Sequence, residues 1–157
     1  MKKLSGLQMT SNDLIDLIAN QENIKFATEA GARKHAILQK VAIDNDIEQG
    51  DSKTIAELRE HPELLRFFSK NAKTEVPIAG YINGKFYSRR IDRLIINETE
   101  KHIELIDYKT DLEKNLRRAD YKKQIAEYKE LLRGIYPDYK ITGYILWLHD
   151  FCLEKCD

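Results

Sequence analysis

Asp107 and Lys109 stand at the end of an apolar run, IELIDYKTD (103–111), with only Tyr108 between them. Side chains on a strand alternate faces, so this acid and this base share one face while Tyr108 points the other way. A carboxylate beside an ammonium is either a plain ion pair or half of a metal-dependent site in which the lysine orients water or acts as an acid. Two further acids bear on the choice, Asp92 in RRIDRL and Glu75 in EVPIAG. Asn83-Gly84 is a strong signal for a two-residue hairpin turn. Counting outward from it sets Ile82 against Lys85 and Glu75 against Asp92. A second turn in NETEK (97–101), centred between Thr99 and Glu100, sets Asp92 against Asp107. Cross-strand neighbours lie about 4.5–5.5 Å apart, so three carboxylates line up across three strands, with Lys109 one step along the same face. Such a row repels itself, and a divalent cation that prefers oxygen ligands, as magnesium does, would relieve the repulsion. The competing possibilities are structural. Asp92 can pair with Arg89, Arg90 or Arg93, and Asp107 with Lys109 can be a surface ion pair of small value.

The elements that must position these residues change character near residue 73. Before it the patterns are helical: SNDLIDLIAN (11–20), KFATEAGARKHAILQKVA (25–42) with its apolar stripe, and SKTIAELREH (52–61), which begins on a plausible cap. Pro62 suggests a break before ELLRFFSKN, and IDNDIEQGD (43–51) reads as a polar connection. From Glu75 the pattern is that of strands, EVPIAGYINGKFYSRRIDRLII (75–96) folded at Asn83-Gly84, then HIELIDYK (102–109). Pro77 confines the first strand to a sheet edge. A long helix follows over about 112–133, ended by Gly134 and Pro137, and KITGYILWL (140–148) reads as a buried strand. The order is α–β–β–β–α–β, and the long helix permits a parallel crossover between the last two strands.

Composition bounds the function without naming it. The 157 residues are one domain in size, and 26 basic against 26 acidic residues give no net charge. A basic balance therefore gives no argument for nucleic acid, although acids at a metal site would mask basic residues elsewhere. No run of 18 apolar residues suggests a membrane span, and MKKLSGLQM has no apolar segment of a secretory leader. Cys152 and Cys156 read as free thiols of a reducing compartment, since a lone CxxxC lacks the four ligands of a zinc or iron–sulfur site.

RIDRL, followed fifteen residues later by IDYKT and then by QIAEY, resembles the PD-(D/E)XK nuclease superfamily. More narrowly it is similar to the C-terminal nuclease domain of AddA/RecB-type exonuclease–helicases, over residues 75–148, with EVPIAG and GYILWL in the right order. GARKH (31–35) is similar to that family's Gly-x-x-x-His helix. Gly31 and His35 stand one turn apart, and a helical glycine marks the close approach of another backbone.

The resemblance implies an α/β, restriction-endonuclease-like α-β-β-β-α-β core with a mixed four-stranded sheet flanked by helices, plus an N-terminal helical region. The chain would be one nuclease domain, residues 1–72 mainly helical and carrying His35, residues 73–150 the core. It implies that His35, Asp92, Asp107 and the backbone carbonyl of Tyr108 bind Mg2+, with Mn2+ substituting, and that Lys109 positions water and stabilises charge. Glu75 would hold a ligand or water behind them. Gln124 and Tyr128, four apart on one helix face, would orient lysine, water or phosphate, although the ring of Tyr128 also fits an apolar stripe with Tyr121, Ile125 and Leu132. Lys114, Arg117, Arg118, Lys122 and Lys123 would touch the phosphate backbone or form a solvated face. His61, His102 and His149 read as structural.

The activity implied is that of a magnesium-dependent DNase, an exodeoxyribonuclease of double-strand-break repair, cytoplasmic and nucleoid-associated if bacterial. Its partners would be DNA and a helicase subunit or parent helicase chain, because no GxxxxGK[ST] phosphate loop is present. The missing cysteine quartet sets it apart from AddB-type relatives, so no iron–sulfur cluster is expected. The alternatives are a catalytically inactive DNA-binding or docking module of the same fold, and an RNase.

Overall fold

The computed structural model describes residues 29–110 and 114–157. The helix expected at 11–20, and the ends at 25–28 and 112–113 of two others, lie outside the described residues. Helix α1 (Glu29–Gln39) carries Gly31, which is buried, and His35. The polar connection at 43–51 contains two short paired strands, β1 (Ala42–Ile43) and β2 (Glu48–Gln49). Helix α2 (Ser52–Arg59) is capped by Asp51 rather than Ser52, its carboxylate accepting from Thr54 N at 2.9 Å. Pro62 opens a 3₁₀ helix (Pro62–Phe68) at its first position, where the missing N–H has no partner to lose.

The sheet follows: β3 (Lys73–Ile82), β4 (Lys85–Asn97), β5 (His102–Lys109), helix α3 (Lys114–Ile135), β6 (Lys140–Trp147) and β7 (Cys152–Cys156). It has five strands in the order β3-β4-β5-β6-β7, where the sequence predicts four. Short, mostly polar CLEKC is a strand because it pairs antiparallel with β6, not because of apolar content. β5 and β6 run parallel across α3, the other neighbours antiparallel, so the sheet is mixed. β3 is an edge strand, as Pro77 requires. Asn83 and Gly84 have φ of 50° and 77°, the left-handed pair of a tight hairpin turn, and Ile82 pairs with Lys85. Helix α3 runs on through Gly134 and stops before Pro137.

Two apolar cores flank the sheet. On one face Ile125, Tyr128, Leu131 and Leu132 of α3 meet Ile78, Ile91, Leu94, Ile103, Leu105 and Ile145. Gly143 permits this approach, for a Cβ there would stand 2.3 Å from Ile125 Cγ2. On the other face Leu38, Ile55, Leu58, Leu64, Phe67 and Phe68 from the helical segments meet Ile106, Tyr108 and Leu146. Strand β4 changes faces in passing between these cores. Ile91 and Leu94 both enter the α3 side although three residues apart, while Arg93 lies against Phe67 and Phe68 on the other. Asp92 stands at the switch. Facing it on β3, between the pairs Thr74–Arg93 and Val76–Ile91, Glu75 has φ of 51°. Irregular strands of this kind re-aim side chains, often beside a site.

Candidate active site

Asp107 is reached from α3. It stands on β5 after Ile103 and Leu105 on the α3 face and is 5% exposed. Tyr128 OH donates to its Oδ1 at 3.4 Å, and Lys109 Nζ lies 2.5 Å from its Oδ2. That short approach is an ion pair without hydrogen-bond direction, so Oδ2 remains a buried oxygen with no hydrogen bond. The pair is buried rather than superficial, which removes the surface alternative. Lys109 also donates to Gln124 Oε1 at 2.9 Å and sits 4.3 Å from the centre of the Tyr121 ring. Gln124 in turn donates to Tyr128 OH at 2.7 Å, and the phenol also reaches Arg90 O at 3.3 Å. One face of α3 thus holds both members of the Asp107–Lys109 pair. Tyr128 serves core and site at once, since its ring is in the α3-side cluster.

Asp92 approaches from β4. The ladder carries Arg93 opposite Ile106, which puts Asp92 level with Asp107. The N–H of Tyr108 donates to Asp92 Oδ2 at 2.7 Å. Burial, and then the charge of Asp107, push the Asp92 carboxyl well above the usual range, against the pull of that hydrogen bond. His35 brings Nδ1 to 3.9 Å from Asp92 Oδ1, and its ring stands edge-on to Tyr108 at 5.3 Å. Burial lowers the His35 pKa, outweighing the field of Asp107, so the imidazole is neutral at neutral pH. Burial first, then nearby carboxylates, push the Tyr108 and Tyr128 phenols up, so both remain protonated, Tyr108 OH accepting from Arg93 and Tyr128 OH donating to Asp107.

Glu75 completes the row from β3, held by Arg90 Nε at 2.8 Å. No arginine pairs with Asp92 among the described residues. Arg90 goes to Glu75, Arg89 to Glu127, and Arg93 is buried on the far face. His35, Glu75, Asp92, Asp107, Tyr108, Lys109, Gln124 and Tyr128 therefore stand in one neighbourhood. His61, His102 and His149 are elsewhere, beside Glu63, Thr142 and Asp150. Of the basic residues early in α3, Lys114 is paired with Asp150, and Arg118 and Lys122 with Glu154. These ties compete with any phosphate.

Arg93, one of three arginines that the sequence left open as alternative partners for Asp92, does something else. It is 1% exposed and donates to Tyr108 OH, Phe67 O, Leu38 O and Val41 O at 3.0, 3.3, 2.5 and 2.8 Å. It ties the end of the His35 helix to the residue whose N–H holds Asp92.

The donors suit a hard divalent cation: a neutral imidazole and two carboxylates, one of which has an oxygen, Asp107 Oδ2, left without a hydrogen bond. Among the described residues, no three His, Cys, Asp or Glu side chains are closed around one point. The Lys109 ammonium supplies the nearest positive charge to Asp107.

No family model matches the chain, and no curated protein does. Among solved structures it is similar to SSO0001, with 23% identity, a TM-score of 0.40, and 67% of this chain and 49% of that one covered. It is also similar to a protein from Eubacterium rectale described as a "putative exonuclease", with 13% identity, a TM-score of 0.47, and 93% of this chain and 58% of that one covered. The chain spans about half the length of these structures. The fold is α/β, a mixed five-stranded sheet between helices. Among the described residues no helix is long and apolar enough to cross a membrane.

Proposed function

We propose that this chain is a metal-dependent nuclease of the PD-(D/E)XK type, hydrolysing DNA phosphodiester bonds as the nuclease part of a helicase–nuclease. One observation carries the proposal: two level carboxylates, Asp107 buried and Asp92 nearly so, with a neutral histidine on one side and a held lysine on the other. As a purely structural device Asp92 is unfavourable, because burial and the neighbouring charge of Asp107 both act against its own charge. A divalent cation reverses the balance, and magnesium or manganese fits the donors.

His35, Asp92, Asp107 and the Tyr108 carbonyl would hold the cation, which when bound polarises a phosphoryl oxygen and acidifies a water. Lys109 is held from several sides. Gln124 fixes its ammonium from one side and the Tyr121 ring faces it, so its charge is oriented before reaction and can stabilise charge developing at phosphorus. Gln124 and Tyr128 form the relay that holds both Lys109 and Asp107, the phenol remaining a donor throughout. Glu75 and Arg90 lie at the outer end of the row, where Arg90 is open to solvent and can meet a phosphate.

The test is a timed digest of end-labelled linear DNA and of RNA. Magnesium or manganese should support degradation of DNA, and chelator should abolish it. Absence of cleavage with either metal, under conditions where the protein is folded, would refute the proposal. Preferential cleavage of RNA would replace the substrate and keep the centre.

A further inference from the structure

The β3–β4 hairpin carries two large aromatic side chains that neither core uses. Tyr81 is 74% exposed and Phe86 57%. They are directly opposed across the strands, their ring centres 5.4 Å apart in a T-shaped contact. Inward-facing neighbours account for the hairpin's own packing: Ile78 is buried, Ile82 and Tyr87 pack on the α3-side core, and Gly80 lies over Leu131. Tyr81 and Phe86 belong to the opposite face. On it Pro77, Ala79, Ser88 and Arg90 are also exposed, in a strip that runs from the tip to Glu75 and Asp92. Of the hairpin's cations, Arg89 is turned to Glu127 of α3 and Lys85 lies beside Tyr87 on the α3 side, so Arg90, 67% exposed and held by Glu75, is the cation of this outer face. Phe86 lies six residues from Asp92, about 20 Å along the strand.

We infer that this outer face of the hairpin is a track for single-stranded nucleic acid, with bases stacked on Tyr81 and Phe86 and the backbone passing Arg90 toward the carboxylates. The occupant follows from the surface. Base stacking tolerates any sequence because every base has a π-face, and the two exposed rings are the groups at the tip that offer such a surface. The exposed Arg90 guanidinium can meet the phosphate backbone between the rings and the end of the strip, where Glu75 and Asp92 stand and cleavage is proposed. The T-shaped pair leaves ring surface open while each ring limits the other's motion, so little order is lost on binding. The inference rests on the nuclease proposal for its direction but not for its measurement.

Binding is read by fluorescence anisotropy of a fluorescein-labelled twelve-residue oligothymidylate in chelator, where nothing is cleaved. Tyr81→Ala with Phe86→Ala should weaken binding roughly tenfold or more, as loss of stacking platforms does. Both side chains are largely exposed, so the melting temperature should hardly change. Phe86→Trp places an exposed indole at the tip, and its emission should be quenched as oligonucleotide is added. Wild-type affinity in the double variant, an unmoved tryptophan signal, or no binding by the wild-type chain would each overturn the track. Metal-dependent hydrolysis of bis(4-nitrophenyl) phosphate by the wild-type chain tests the nuclease separately, since that ester is too small to reach the tip. No hydrolysis with intact, hairpin-dependent binding would sink the nuclease and leave the track standing.

Discussion

Replacing Arg93 by methionine should be among the most damaging changes available outside the carboxylates. The guanidinium is 1% exposed and donates to three backbone carbonyls and one phenol. Each buried polar group left without its partner costs about 1–3 kcal/mol, and four are at stake. The Phe68 ring, 4.5 Å beneath the guanidinium, adds a cation–π contribution of up to about 2 kcal/mol. Against these losses stands the desolvation of the cation, several kcal/mol that the variant no longer bears. Leu38 and Val41 also lie at the end of α1, where their carbonyls can turn to water if the helix loosens. The balance is a net loss of about 3–5 kcal/mol, the usual range when one partner of a buried charged network is removed. For a domain of this size that lowers the melting temperature by roughly 6–20 °C.

Lysine should not rescue the position. Its donors leave one point, whereas the guanidinium spreads its own over Phe67, Leu38, Val41 and Tyr108. Urea unfolding of wild type, Arg93→Met and Arg93→Lys measures the loss. Hydrogen exchange locates it: amides of α1 should lose protection before those of β5 and β6, because Arg93 binds that helix end to the sheet. A loss below about 1 kcal/mol, or equal loss of protection in α1 and the central strands, would refute the argument.

Other consequences follow from the same contacts. Lys109→Ala should bind magnesium at least as tightly as wild type, since an ammonium 2.5 Å from Asp107 Oδ2 has left. Its DNA cleavage should fall by roughly 10²–10³-fold in an end-label digest, and near-normal cleavage would remove the lysine from the mechanism. Magnesium should raise the wild-type melting temperature by mass action, and Asp107→Ala should lose most of that rise; an equal rise in the variant would discard the ligand assignment. Burial alone would raise the Glu104 pKa, but hydrogen bonds from Arg66 and Tyr144 bring it below its ordinary value. The stability it contributes is present above pH 4.5 and is lost as pH falls further, so Glu104→Gln should flatten that part of the stability profile. The loss at pH 7 should be about 1 kcal/mol, discounted because Arg66 is half-exposed, and an unchanged acid limb would contradict the assignment.

The turns made most of this legible. Asn83-Gly84 and the NETEK turn fix the register of three strands by counting, and the ladders observed follow the same counts. That places Asp92 level with Asp107 before any contact is known. Strand β5 keeps its expected bounds because its apolar run is long and its flanks are polar. β7 was not legible, since only Cys156 in CLEKC is buried and the strand depends on backbone pairing with β6. Arg93 was hidden by its own charge and by the face switch: three arginines around one aspartate invite a surface reading, and regular alternation from Ile91 points to the face that Arg93 does not occupy. The face switch at Asp92 has no marker at all. The left-handed residue opposite is Glu75, not the glycine that would announce such a conformation.

That switch explains how two carboxylates come to be level without sharing an environment. Had β4 stayed regular, Asp92 would share a face with neighbours two residues away, and one core would have to accommodate its full desolvation. With the strand turned at this residue, Ile91 and Leu94 seal the α3 side while Arg93 closes the other. Asp92 is left at the seam, taking the Tyr108 N–H and facing His35. Asp107 takes its partners from α3 and Lys109 instead. Strand β5 serves both, but the helices divide the work, α1 bringing His35 to Asp92 and α3 bringing Tyr128 to Asp107. Loosening α1 would free His35 and leave the Lys109–Gln124–Tyr128 relay intact, whereas loosening α3 would do the reverse. Arg93→Met and Gln124→Ala should therefore impair the site in separable ways, the first through metal affinity and the second through turnover with metal bound. Equal effects of both variants on metal affinity would show that the two halves are one unit and that the seam does not divide them.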